Sequence, residues 1–125
     1  MCLIEETDWM EGEPDMTLNE YQKAAARTIN PALYPEQMLH HAIHGMAGEV
    51  GEIHSLFQKA FQGHPLDPEH LKKELGDALW MLAEACTAMG WTIEDVAQAN
   101  IDKLKARYPE GFSADRSLHR KEGDI

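Results

Sequence analysis

The sequence predicts an all-α fold, a bundle of four helices, on three observations. Apolar residues recur at helical spacing through most of the chain, strand-like alternation is absent, and the intervening stretches are short and carry helix-stop and helix-start signals. A length of 125 residues fits one compact domain, and 43% apolar with 26% charged residues is a balance that argues against wholesale disorder. A domain this small buries a modest core, so pairing with a second copy is expected to add to it.

Residues 1–16 carry Glu5, Glu6, Asp8, Glu11, Glu13 and Asp15 without a Lys or Arg, and Gly12 and Pro14 break any helix. They read as a flexible acidic leader, so the domain proper spans 17–125. Thr17-Leu18-Asn19-Glu20 has the form of a capping box and starts a first helix from about Leu18 to Ile29, which Asn30-Pro31 ends. Pro35 suits the first turn of a second helix, and nothing stops it before Gly63-His64-Pro65, a run of about 28 residues. Asp67-Pro68-Glu69 supplies an N-cap, an N1 proline and an acid at the positive end of the dipole for a third helix, which closes at Met89 with Gly90 as its cap. Thr92-Ile93-Glu94-Asp95 opens a fourth, ending near Arg107, and the residues after Phe112 read as an extended C-terminal tail.

Twenty-two acids against eleven Lys and Arg give a net charge of -11, which repels a phosphate backbone and disfavours a nucleic-acid partner. The apolar runs fall far short of the roughly 20 residues that cross a bilayer, and the acidic start is not a signal peptide. No membrane partner and a cytoplasmic location are expected. Cys2 and Cys86 make neither a disulfide framework nor a metal-binding spacing.

On a wheel of about 100° per residue, Leu39, Ala42, Ile43, Met46, Val50, Ile53, Leu56, Phe57 and Ala60 form one broad apolar arc on the second helix. Glu49 falls inside that arc, with Glu52 one turn on at its edge. Glu74 and Asp77 repeat the i,i+3 spacing beside the apolar stripe of the third helix. One such pair is ordinary in so acidic a chain; two on consecutive antiparallel helices joined by a single turn are less so. The four carboxylates either make salt bridges to Lys72, Lys73 or histidines, or converge into an all-oxygen site suited to Mg²⁺ or Mn²⁺.

The fourth helix carries the opposite sign. Asn100, Lys103 and Arg107 share one flank, either as snorkelling edge residues or as a donor row able to grip phosphate oxygens, and Lys59 can join them. His40, His41 and His44 do not have the H-E-x-x-H form of a zinc protease, and neither carboxylate pair has the Glu-x-x-His form of a di-iron site. Trp80 and Trp91 are packing residues first, although Trp80 lies opposite the main stripe of its helix. No nucleophile elbow, Walker or dinucleotide fingerprint occurs.

Glu49-x-x-Glu52, Glu74-x-x-Asp77, Asn100-x-x-Lys103 and Arg107-Tyr108-Pro109, together with LNEYQ, GEVGE, ELGDALW and RYPEGFSADRS, resemble the MazG-like branch of the all-α nucleoside triphosphate pyrophosphohydrolases from about Thr17 to Arg120. The resemblance implies a Mg²⁺-dependent enzyme, with Mn²⁺ able to substitute, that splits a nucleoside triphosphate between the α and β phosphates, in a homodimer or homotetramer. By motif position it makes Glu49, Glu52, Glu74 and Asp77 metal ligands and Lys59, Asn100, Lys103 and Arg107 substrate contacts. Glu49 or Glu52 would orient water or take its proton. Two other readings are a non-catalytic dimerisation or nucleotide-sensing module, and a hydrolase of another nucleotide-linked metabolite.

Overall fold

A computed structural model describes residues 15–124, so all of the expected acidic leader except Asp15 and Met16 lies outside the described residues. The chain is all-helical. Among the described residues five helices follow in order, α1 (Leu18–Ala26), α2 (Pro35–Phe61), α3 (Pro68–Met89), α4 (Ile93–Arg107) and α5 (Ala114–Leu118). Its contacts divide it into two units, one ending at Ile93 and one starting at Glu94. No described helix is long and apolar enough to cross a membrane.

The helix ends follow from local chemistry. At the start of α1 the Thr17 hydroxyl oxygen accepts from the Glu20 amide at 3.0 Å, while its proton goes to the Glu20 carboxylate at 3.2 Å rather than leaving that carboxylate for a backbone amide. α1 stops three residues short of Ile29. The amides of Arg27, Thr28 and Ile29 each bond the carbonyl three residues back, and the Thr28 hydroxyl takes the Ala25 carbonyl at 2.7 Å, so the last turn tightens and unwinds.

α3 is bounded as its sequence requires. The Asp67 carboxylate accepts from the Glu69 amide at 3.0 Å ahead of Pro68. Gly90, at φ 73°, takes the left-handed cap, so the Gly90 amide reaches the Thr87 carbonyl at 3.1 Å and the Trp91 amide the Cys86 carbonyl at 2.9 Å. The segment read as an extended tail contains α5, whose first turn is capped by Ser113 Oγ accepting from the Arg116 amide.

In the first unit α2 lies along α3, and α1 packs on α3. Small residues allow the close approach. Ala25, Ala42, Ala83 and Cys86 are buried together with Ile93, and a Cβ on Gly45 would meet the end of the Met81 side chain at 2.5 Å. Within the broad arc of α2, Ala42 is fully buried and Leu39, Met46, Ile53 and Leu56 are partly covered, but Ile43, Val50 and Phe57 keep about half their surface. The arc is wider than a single neighbouring helix can cover.

One buried polar side chain ties three segments together. Gln22 of α1 donates from Nε2 to Thr87 Oγ1 at 3.1 Å and to the Trp91 carbonyl at 2.9 Å, and its Oε1 accepts from the Ile93 amide at 2.7 Å. That amide opens α4 and has no partner within its own helix. Gln22→Leu keeps the volume and strands these groups. It should cost about 2–3 kcal/mol, read as a lower denaturant midpoint at constant m value; a loss under about 0.5 kcal/mol would mean that water replaces the amide.

Candidate functional site

α2 carries Glu49 and Glu52 one turn apart, and α3, running back along it, carries Glu74 and Asp77 at the same spacing. The structure brings three of the four together. Carboxylate oxygens of Glu49, Glu74 and Asp77 all lie within 4.8 Å of one another. Glu52 stands outside that trio but close enough for its charge to act on Glu49. Glu49 and Glu74 are half-buried and Asp77 is exposed.

Crowding of like charges shows in the proton affinity of Glu49. Burial raises its carboxyl above the ordinary value, and the charge of Asp77, a hydrogen bond with Glu74 and the charges of Glu74 and Glu52 push the same way. The lysines that would relieve this by salt bridges do not reach the site among the described residues. Lys72 pairs with Glu69 at 4.0 Å, and beyond its hydrogen bond with Glu49 the Glu74 carboxylate meets His70, at 3.2 Å. An acidic trio built from hard oxygen donors and short of positive charge fits a small divalent cation such as Mg²⁺ or Mn²⁺.

Lys59 lies exposed in the last turn of α2. In the second unit Asn100 is exposed on α4, whereas Lys103 and Arg107 line a cavity of about 320 Å³. Arg107 is engaged there. Its Nε donates to Asp124 Oδ2 at 2.9 Å and its Nη2 to Asp124 Oδ1 at 2.7 Å, a two-pronged pair that raises the guanidinium's proton affinity further.

The histidines settle into structural contacts. His40 and His44 bring their rings to 6.0 Å, and His41 Nδ1 shares a 2.6 Å hydrogen bond with Glu84 Oε1. Trp80 donates from Nε1 to Thr28 Oγ1 at 2.7 Å and meets His41 edge-on, so it packs within the first unit. Sequence reading passed over Glu84, Gln22 and Asp124. Glu84 carried a signal: it is the one charge between Ala78 and Met89, in the middle of an apolar run. Asp124 carried none, since its partner lies 17 residues away.

Comparison with known proteins adds the family. The sequence model of the MazG nucleotide pyrophosphohydrolase domain matches residues 37–112, more than half of the chain and the stretch that holds all eight candidate residues. The Gene 37 protein of Mycobacterium phage L5 is 29% identical over 108 residues, covering 77% of this chain and 92% of that protein. No solved structure matches. With the family domain spanning both carboxylate pairs and Asn100, Lys103 and Arg107 of α4, the chain belongs to the MazG nucleotide pyrophosphohydrolase family.

Proposed function

We propose that the protein is a Mg²⁺-dependent nucleoside triphosphate pyrophosphohydrolase, with Mn²⁺ able to substitute, which converts ribo- or deoxynucleoside triphosphates into the monophosphate and pyrophosphate and so clears the nucleotide pool of the cytoplasm. The observation that carries this reading is the acidic trio of Glu49, Glu74 and Asp77, with oxygens within 4.8 Å and no Lys or Arg salt bridge among the described residues. Glu49, Glu52, Glu74 and Asp77 would hold the ion. When bound, it supplies positive charge that draws phosphate oxygens to an acidic protein and makes water easier to deprotonate.

The remaining steps belong to the side chains. Water attacks the α phosphorus, the bond to the bridging oxygen breaks, and pyrophosphate leaves. Glu49 or Glu52 orients the water and takes its proton; Glu52, outside the trio, is the less committed to holding the ion. Lys103 and Arg107, with Asn100 and Lys59, donate to phosphate oxygens and stabilise the charge that gathers on the leaving group. A homodimer or homotetramer accounts for the half-covered residues Ile43, Val50 and Phe57 of α2.

The test is a panel of ribo- and deoxynucleoside triphosphates incubated with the protein, with and without Mg²⁺, and a separation of products. Monophosphate with pyrophosphate, formed only with the metal, is the expected result. Diphosphate with phosphate would overturn the bond assignment. No turnover on any member would favour a nucleotide-sensing module or a hydrolase of another nucleotide-linked metabolite. Sedimentation of the same sample reports the assembly.

A further inference from the structure

The second unit holds six of the eleven Lys and Arg residues of an acidic chain. Five of these, Lys103, Arg107, Arg116, Arg120 and Lys121, line a single cavity of about 320 Å³, against the acids Glu122 and Asp124. Among the described residues, no salt bridge neutralises Lys103, Arg116, Arg120 or Lys121; only Arg107 is paired, with Asp124. A cavity of that size takes a small ligand, and a wall of Arg and Lys selects one with several anionic oxygens.

Asp124 presents its carboxylate to Arg107 as such a ligand would, through two parallel N–H···O bonds of 2.7 and 2.9 Å. The pair is largely covered, with side chains 11% and 19% exposed. We infer that Asp124 is a tethered competitor for the phosphate groups of the ligand in this basic cavity, so that the C-terminal segment must release Arg107 before a polyphosphate can take its place. This rests on the reading of Arg107 as a phosphate contact and adds a control to it.

The energetics favour exchange rather than a permanent lock. A carboxylate brings one negative charge and two acceptor oxygens, and in the cavity it satisfies one cation of five. A polyphosphate brings several charges and engages the others as well. The hydrogen bonds from Arg107 hold the Asp124 carboxyl below its ordinary value, with the charges of Arg107, Arg120 and Lys103 adding to this and burial opposing it, so the competitor is ionised at neutral pH. An internal ligand present about nine times in ten lowers the apparent affinity of an external one about tenfold.

Calorimetry with inorganic tripolyphosphate, in chelator so that no divalent ion contributes, measures this on the full chain without calling on turnover. Asp124→Asn should bind about tenfold more tightly than the wild type. Asp124→Glu should restore wild-type affinity, and Arg107→Gln should lose most of the binding. In the turnover assay Asp124→Asn should lower KM with kcat held, because removing a competitor strengthens ground-state and transition-state binding alike. Unchanged or weaker binding by Asp124→Asn, while Arg107→Gln weakens it, would overturn the competitor role and leave Arg107 as a phosphate contact. Unchanged binding by Arg107→Gln would overturn both. Tighter binding by Asp124→Asn with no nucleotide turned over would support the competitor and count against the reaction alone.

Discussion

Glu49→Gln and Asp77→Asn should each lower nucleotide turnover at least about a hundredfold while leaving the protein folded. Both replacements keep shape and remove one negative charge from a cluster whose oxygens lie within 4.8 Å of one another. The stability readout moves the other way. Glu49 is raised above its ordinary value in the folded chain, by burial first and by its acidic neighbours next. A raised acid holds its proton more tightly folded than unfolded, so without metal its contribution is present at low pH and is lost as pH climbs from the ordinary value through the raised one.

Glu49→Gln cancels that loss, so its melting temperature at pH 7.5 without metal should exceed the wild type's. Adding Mg²⁺ reverses the order. The wild type should gain stability with the ion, most above the raised value and least below the ordinary one, and the variant should gain little. A structural ion pair would behave in the opposite sense, since removing one partner then destabilises. Turnover within about twofold of wild type in both variants would show that the trio is not the metal centre.

How far these features could be read from the sequence depended on how local their causes are. Thr17, Asp67-Pro68 and Gly90 act on amides and carbonyls within a turn of themselves, so the starts of α1 and α3 and the end of α3 were legible from the local sequence alone. The end of α1 was set instead by the Thr28 hydroxyl turning back on Ala25, and Asn30-Pro31 came too late to matter. α5 is five residues long, too short to show a period. For the site, spacing put Glu49 with Glu52 and Glu74 with Asp77, since each pair shares a helix. It was the rotation of α2 against α3 that chose Glu49 over Glu52 for the trio. Arg107 was legible as a cation on α4, but its pairing with Asp124 depends on the path of the segment between them.

The second large effect is expected at Glu84, whose side chain is fully buried in α3. Its Oε1 is bonded to His41 Nδ1 at 2.6 Å, and its Oε2 has no hydrogen-bond partner. His41 is half exposed, so the two partners are unequal: the histidine can turn to water, and the carboxyl group cannot. His41→Ala should therefore cost about 2–3 kcal/mol, because both oxygens of a buried acid are then left without a protein partner. Glu84→Met, close in volume, removes the acid with its desolvation cost and should be neutral or stabilising by about 1 kcal/mol. The double variant should recover most of what His41→Ala loses, since nothing polar is then stranded. Urea unfolding of the four proteins closes the cycle. A loss above about 2 kcal/mol in Glu84→Met alone would mean that the pair, rather than the packing around it, holds α2 to α3.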